Sequence, residues 1–202
     1  MPRSASSKST SKTSTRARGA STGKGSQDIL KMLTEDHKKV KQMFESFEKM
    51  KEEDDQDDDA KQMLVELCCS ELTVHAQLEE ELFYPALRDA IDDMDLLDEA
   101  EVEHASAKQL ISELSSMQPD DELYDAKFTV LGEYVKHHIE EEEKEIFPKV
   151  KKADLDLEAM AEEAHERKQE MRAELGLDSE DEGEGEEETE KETPASKRKS
   201  IH

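Results

Sequence analysis

The stretches His75-Ala-Gln-Leu-Glu79-Glu80 and His138-Ile-Glu-Glu-Glu142-Glu143 repeat one pattern at an interval of 63 positions. In each stretch a histidine precedes a glutamate by four residues, and a proline follows ten residues after the histidine, at Pro85 and Pro148. Because four residues make about one helical turn, we expect both side chains of each pair to project from the same helix face. Imidazole and carboxylate together form a ligand set for iron, manganese or zinc, so two such pairs in one bundle could hold two metal ions.

Apolar residues recur at helical spacing in five segments, which acidic or proline-containing breaks separate. These predicted helices span residues 28–51, 60–88, 96–117, 121–151 and 155–175. We expect Pro85 to kink or end the second helix, Asp120 to cap the fourth, and Gly176 to mark the end of the fifth. Because the segments lack strand patterns, the sequence predicts an all-α fold, an up-down-up-down four-helix bundle followed by a fifth helix.

The charge is distributed unevenly along the 202 residues, whose formal net charge is −26. Residues 1–26 carry six basic and no acidic residues, whereas residues 178–202 are first acidic and then basic. We expect both tails to be disordered, with the bundle over residues 27–152 and the fifth helix, over 153–177, packed on it or extending from it. Since the tail charges cancel, the central part carries the whole net charge. This disfavours nucleic acid and anionic membranes as partners and attracts cations.

The two cysteines, Cys68 and Cys69, are adjacent and therefore point about 100° apart on a helix, which makes a disulfide between them difficult. We expect Cys68 to be buried and Cys69 to lie at the edge of the core, both reduced. The sequence has no apolar run near the roughly 18 residues of a membrane span and no secretory signal. These features predict a cytoplasmic protein without membrane contact.

A histidine lies on the apolar face of each of the first four helices, and a glutamate lies there in the second and fourth. An unpaired carboxylate on a buried face costs several kcal/mol or becomes protonated, and a bound metal removes this cost. The candidate metal ligands are His37, His75, Glu79, His104, His138 and Glu142. The sequence midpoints of His37 and His75, of Glu79 and His104, and of His104 and His138 all fall at predicted breaks. We therefore expect the four histidines at one level of the bundle.

The ligand types favour two non-haem iron ions joined by an oxo or hydroxo bridge, with Glu79 and Glu142 able to bridge as well. Manganese or zinc fits less well, and no cysteine is placed to support a structural zinc site. Six protein ligands cannot fill two octahedral coordination shells. Positions therefore remain for a small diatomic ligand such as oxygen or nitric oxide.

These motifs resemble those of the hemerythrin-like, or HHE cation-binding, family of the bacterial type. The resemblance covers about residues 28–150 and rests on His37 in Glu-Asp-His, on His104 in Val-Glu-His, and on the two repeated stretches as they run on to Pro85 and Pro148. It implies a four-helix bundle with a non-haem di-iron centre. Family functions include the binding or sensing of oxygen or iron and the handling of reactive species.

Two positions depart from the oxygen-carrying hemerythrins. Lys108 stands where those proteins have a second histidine one turn after the third-helix ligand, and the last helix has His-x3-Glu in place of His-x4-Asp. Both departures weigh against reversible oxygen carriage. Lys108 could extend to solvent, or it could pair with Glu79, Glu142 or a bound oxygen species.

Other residues have simpler interpretations. We expect His137 to be peripheral to the site, and His165 and His202 to lie in solvent away from it. Core packing is the preferred role for Tyr134, over support of a metal ligand, and for the methionines Met43, Met63 and Met117.

Three functions remain open from the sequence. The leading hypothesis is a non-catalytic protein that binds or senses oxygen, nitric oxide or iron. The second is a di-iron enzyme acting on peroxide, nitric oxide or ferrous iron, although ferritin-like oxidases use Glu-x-x-His pairs in the reverse order. The third is a metal-stabilised structural or interaction protein, whose protein partners the sequence does not identify.

Overall fold

The structure, a computed structural model, describes residues 28–52 and 57–177. These residues contain no strand and form the helical elements α1 (Ile29–Glu52), α2 (Asp58–Leu78), π1 (Glu79–Phe83), α3 (Tyr84–Ala90), α4 (Met94–Leu114), α5 (Tyr124–Glu141), π2 (Glu142–Ile146), α6 (Phe147–Val150) and α7 (Leu157–Glu174). The predicted tails lie outside the described residues, and the predicted domain boundaries stay predictions.

Four long helical arms make the bundle: α1, the run from α2 to α3, α4, and the run from α5 to α6. The most extensive contacts are between α1 and α2 and between α4 and α5, and α5 also packs on α1. This arrangement confirms the predicted all-α bundle, with α7 as the fifth helix. No helix of the described part of the chain is both long and apolar enough to span a membrane.

Local side-chain chemistry defines several helix ends. The carboxylates of Asp28, Asp57 and Asp156 accept the backbone N–H three residues ahead, at 2.8, 3.0 and 3.1 Å, and so cap α1, α2 and α7. After α7, Gly176 takes a positive φ of 69°, as its predicted position at the helix end requires.

The prediction that Asp120 caps the fourth helix is wrong. Helix α5 begins at Tyr124, and Leu123 at its cap position makes no side-chain hydrogen bond. The neighbouring carboxylate of Asp121 instead accepts the N–H of Gln118 at 2.8 Å. The acidic residues therefore close the turn that precedes the helix and do not cap the helix.

Of the two predictions for Pro85, that it kinks or that it ends the second helix, the second is wrong, because the chain continues through a wider π-helical turn into α3. In this turn the N–H of Tyr84 bonds to the carbonyl of Glu79, five residues back, and the N–H of Phe147 does the same with Glu142. A proline is the second residue after each turn, at Pro85 and Pro148. Since proline has no N–H and its ring crowds the carbonyl four residues back, a wider turn accommodates it without breaking the helix.

Each π turn adds one residue to the repeat and so changes which side chains face inward. An uninterrupted helical repeat would continue the inward face of His75 and Glu79 to Leu82, but Leu82 is only partly buried, whereas Phe83, Tyr84 and Leu87 are buried. The inward face after the turn is therefore shifted by one position relative to an uninterrupted α-helix.

The core consists of two apolar clusters with a polar layer between them. The first cluster surrounds the ends of the bundle near α7 and includes Leu33, Leu78, Phe83, Leu97 and Ile146. The second surrounds the opposite half and includes Phe44, Phe47, Cys68, Leu72 and Leu131. Along all four arms the candidate ligands occupy the positions between the two clusters, so apolar packing on both sides holds this layer in place.

Helix α7 packs on the bundle against α1 and α2 and buries Ala161, Ala164 and Met171 in the first cluster. Small side chains let the helix approach closely. Three cations of α7 then pair with acids of the bundle: Arg167 with Glu81, Lys168 with Asp36, and Arg172 with Glu71.

Several single-residue predictions need correction. Met63 is 70% exposed and Tyr134 is 47% exposed, so neither fills the core, whereas Met43 does. Cys69 is buried together with Cys68 and does not lie at the edge. Both thiols are free, and burial raises the pKa of Cys69 to about 12.

Candidate metal centre

The six candidate ligands are all buried and meet in the polar layer. His37, Glu79 and Glu142 have no exposed surface, and the remaining three histidines are at most 7% exposed. The ring centroids of His37 and His75 are 4.9 Å apart, and those of His104 and His138 are 4.6 Å apart. The structure therefore places the four imidazoles at one level, as the sequence midpoints predict.

The ligand atoms form two groups that share one carboxylate. His37, His75, Glu79 and Glu142 make the first group, and Glu79, His104 and His138 make the second, with atoms within 4.8 Å of one another in each. Oε1 of Glu79 lies 3.3 Å from Nε2 of His75, and Oε2 lies 3.4 Å from Nε2 of His104. Glu79 thus presents one oxygen to each group, which is the geometry of a bridging carboxylate.

The Nδ1 atom of every imidazole faces an acid on another helical segment. The four pairs are His37 with Glu143 at 2.9 Å, His75 with Asp36 at 3.6 Å, His104 with Glu80 at 3.1 Å, and His138 with Glu103 at 2.9 Å. A carboxylate within hydrogen-bond distance of Nδ1, as at His37, His104 and His138, favours the proton on that nitrogen and turns the lone pair of Nε2 toward the centre. Sequence reasoning missed these four acids because each contacts its histidine across two helical segments, which the pattern of a single helix does not show.

With the protons on Nδ1, the centre brings hydrogen-bond acceptors face to face. Nε2 of His104 lies 3.0 Å from Nε2 of His138, and Nε2 of His37 lies 3.2 Å from Oε2 of Glu142. Among the described residues, buried side-chain atoms without a hydrogen-bond partner concentrate here and include Nε2 of His75 and both oxygens of Glu79. Such an arrangement costs several kcal/mol unless a cation lies between the acceptors.

A lysine or histidine side chain contacts each of the four acids from outside. Lys41 lies 3.4 Å from Glu143, Lys168 contacts Asp36, Lys108 contacts Glu80, and Nε2 of His137 lies 3.5 Å from Glu103. Lys108, for which the sequence leaves solvent exposure or an ion pair open, is exposed and pairs with Glu80, which contacts His104, instead of with Glu79 or Glu142. His137 is exposed and peripheral, as predicted.

The ionisation of the central acids reflects their burial and their neighbours. Burial and repulsion from Glu142 raise the pKa of Glu79 to about 8. Burial opposes ionisation of Glu142 as well, but His37 and His138 outweigh it and lower its pKa to about 2. Burial likewise opposes ionisation of Asp36, whose pKa His75 and Lys168 lower to about 2. In the metal-free protein, one of the two central carboxyls is therefore protonated at neutral pH.

This protonation predicts how the stability of the metal-free protein depends on pH. The pKa of Glu79 is higher in the folded than in the unfolded protein. The stabilisation that its protonated carboxyl contributes is therefore fully present below pH 4.5 and is lost as the pH rises through about 8. Glu79→Gln removes the ionisable group. The unfolding free energy of this variant, relative to that of wild type, should therefore increase by up to about 1.4 kcal/mol per pH unit as the pH rises through this window. Urea unfolding of chelator-treated protein measures the difference. Glu81→Gln, at an exposed position, should run parallel to wild type.

Two aromatic residues at equivalent positions of the repeat also contact the centre. The hydroxyl of Tyr84 donates to Oε1 of Glu142 at 2.9 Å, and the ring of Phe147 stacks on His37 at 5.9 Å. Both residues directly follow a π turn, which brings them to the inner face. Sequence reasoning missed Tyr84, although its place before Pro85 in the repeated stretch was a usable signal.

A cavity of about 30 Å³ adjoins the second group of candidate ligands. His75, His104 and His138 line it on one side, and its other walls are mostly aliphatic: Val40, Leu72, Ala107, Ile111, Val135 and Ile139. Ala76, the partly buried Glu103 and the exposed residues Tyr134 and Lys108 complete the lining.

His165 does not belong to the centre. His165 is exposed and contacts Gln169 on α7, as predicted for a residue away from the site. His202 lies outside the described residues.

This chain is similar to known proteins over the helical bundle. The model of the Hemerythrin HHE cation binding domain matches residues 28–150. A crystal structure of a Hemerythrin HHE cation binding domain-containing protein from Mycobacterium kansasii is similar to this chain, with a TM-score of 0.62 and 22% sequence identity. The similarity covers 78% of this chain and 94% of that one. No curated protein matches the chain.

Proposed function

This chain belongs to the Hemerythrin HHE cation binding family, and from that premise we propose that it holds two iron ions and binds or senses a small diatomic ligand or iron itself. The proposed ligands of one ion are His37, His75, Glu79 and Glu142. Those of the other are His104, His138 and the shared Glu79.

The observation that carries this proposal is the set of opposed acceptors in the polar layer. Imidazole lone pairs and carboxylate oxygens converge at 3.0–3.4 Å in a space shielded from water. A protein retains such a layer at the expense of stability only if something positive compensates it. The two groups and the shared carboxylate support two cations.

The ligand chemistry supports iron over zinc. The donors are imidazole nitrogens and carboxylate oxygens, which suit non-haem iron, whereas Cys68 and Cys69 lie in the second apolar cluster and belong to neither group. Bound iron would supply open coordination positions and redox chemistry. A cytosolic location, where both thiols stay reduced, remains a prediction.

The cavity beside the second group supports a small apolar ligand. Its volume, about 30 Å³, is comparable to the share of one water molecule in the liquid. Aliphatic walls favour an uncharged molecule such as oxygen or nitric oxide and offer little to an anion. The ligand would approach between His104 and His138.

One observation favours an enzyme as the second candidate. The hydroxyl of Tyr84 lies inside the centre, 2.9 Å from Glu142 and 3.5 Å from Nε2 of His138. A buried hydroxyl can donate a proton to a species bound at the centre, which peroxide chemistry requires. Binding would show as a reversible spectral change on addition and removal of oxygen or nitric oxide, whereas an enzyme would consume peroxide or nitric oxide with turnover.

Metal analysis with the visible spectrum tests the proposal. Wild-type protein loaded with ferrous iron should hold two irons per chain, and His138→Ala should lose half of the metal or more because it removes a ligand of the second group. His165→Ala, which changes an exposed histidine outside the centre, should keep both irons. Full metal content in the His138→Ala protein, or none in wild type, would refute the assignment.

A further inference from the structure

Helix α7 lies outside the four arms that carry the candidate ligands. It nevertheless contributes one lysine to the outer shell, by which we mean Lys41, Lys108, His137 and Lys168, the residues that contact the four acids beside the imidazoles. Lys168 of α7 contacts Asp36 of α1, and Asp36 faces Nδ1 of His75 at 3.6 Å. The other lysines of this shell, Lys41 and Lys108, come from the bundle itself.

Lys168 is also the most enclosed of these lysines. Its side chain is 17% exposed, against 37% for Lys41 and 44% for Lys108, and the side chain of Asp36 is 13% exposed. Solvent therefore screens this ion pair least, and its effect on the adjacent imidazole should be the largest of the three.

We propose that Lys168 is a positioning residue of the metal centre, through which α7 holds Asp36 against His75 and so sets the orientation and donor strength of that imidazole. This inference rests on the proposed function.

The geometry of Asp36 explains how the contact would act. Oδ1 of Asp36 pairs with Lys168, whereas Oδ2 and Nδ1 of His75 face each other, both buried and without a hydrogen-bond partner at 3.6 Å. Once Nε2 of His75 binds a cation, Nδ1 must carry the proton, and Oδ2 is placed to accept it. Loss of Lys168 would free Asp36 to turn away and leave that N–H unpaired.

The neighbouring residue of α7 provides a matched control. Arg167 also bridges α7 to the bundle, but its partner Glu81 is partly exposed and touches none of the six candidate ligands. A variant that removes Arg167 therefore tests the loss of a docking ion pair alone.

Ferrous iron titration of the metal-free full-length chain tests the inference, with stoichiometry, affinity and the visible spectrum as readouts. Lys168→Met should weaken the affinity for one of the two irons by about ten- to hundred-fold and alter the visible spectrum of that iron. Lys168→Arg should retain most of the wild-type affinity. The affinity of Arg167→Met should stay within about two-fold of wild type. Equal behaviour of Lys168→Met and Arg167→Met would overturn the inference.

A double-mutant cycle separates positioning from folding. Asp36→Asn should weaken the same iron, and adding Lys168→Met to it should cause no further loss, because Lys168 acts through Asp36. Additive losses of iron affinity would contradict the inference. This holds even if Lys168→Met lowers the helix content of the metal-free protein. Absence of iron binding in wild type would refute the proposed function itself, whereas two irons bound with equal affinity by wild type and Lys168→Met would refute only the role of Lys168.

Discussion

Glu79→Leu is expected to abolish binding of both metal ions while it stabilises the metal-free protein by about 1–4 kcal/mol. Glu79 has no exposed surface, belongs to both groups of candidate ligands and lies beside a second buried acid, Glu142. Leucine has a similar volume and needs no partner, so the substitution removes an uncompensated carboxyl without leaving a large cavity. A side chain that serves only packing would show the opposite behaviour, with lower stability and unchanged metal content.

Two measurements on one preparation check this expectation. Urea unfolding of the metal-free protein gives the stability difference, and iron titration gives the stoichiometry. Glu81→Leu is the matched control, since Glu81 lies in the same π turn but points to solvent and pairs with Arg167. Retention of both irons by Glu79→Leu, or a large loss of stability in its metal-free form, would contradict the role of Glu79.

Metal removal is expected to have the second-largest effect. A ligand present at a thousand times its dissociation constant stabilises the folded state by about 4 kcal/mol per site, provided that the unfolded chain does not bind it. For a chain of this size, 4 kcal/mol corresponds to roughly 10 °C in melting temperature. Chelation of the iron-loaded protein should therefore lower the melting temperature by about 10 °C or more.

The same experiment on Glu79→Leu supplies the control. Its melting temperature should not respond to iron or chelator, because the carboxylate shared by both groups is missing. An equal shift in wild type and variant would mean that iron acts through surface acids, which are abundant in a chain of net charge −26.

The spacing of the ligands was predictable because helix periodicity is strict over short distances. His75 with Glu79 and His138 with Glu142 share a face since four residues make one turn, and the loop midpoints correctly place the four imidazoles at one level. These inferences need only local geometry and the antiparallel order of the helices.

Features that depend on contacts between helices were harder to predict. Asp36 and Glu103 each precede a ligand histidine of their own helix yet contact the histidine of the next one, His75 and His138. A single helix pattern cannot show such a partner. The signal was nevertheless present, because the acid before the histidine occurs in both halves of the chain.

The π turns account for the other missed contacts. A period of 3.6 residues, continued without a π turn through residues 79–83, places Leu82 inward. The wider turn instead brings Tyr84 to the centre. The exposed positions of Tyr134 and Met63 were misassigned for a simpler reason, since a wide apolar stripe includes residues at its edges that reach solvent.

Anomalous diffraction at the iron absorption edge, from crystals of the iron-loaded chain, tests the di-iron centre most directly. We predict two peaks inside the bundle, one beside His37 and His75 and one beside His104 and His138, with Glu79 between them. No buried peak, or peaks only outside the polar layer, such as at the partly exposed group of Glu103, His137 and Glu141, would contradict it.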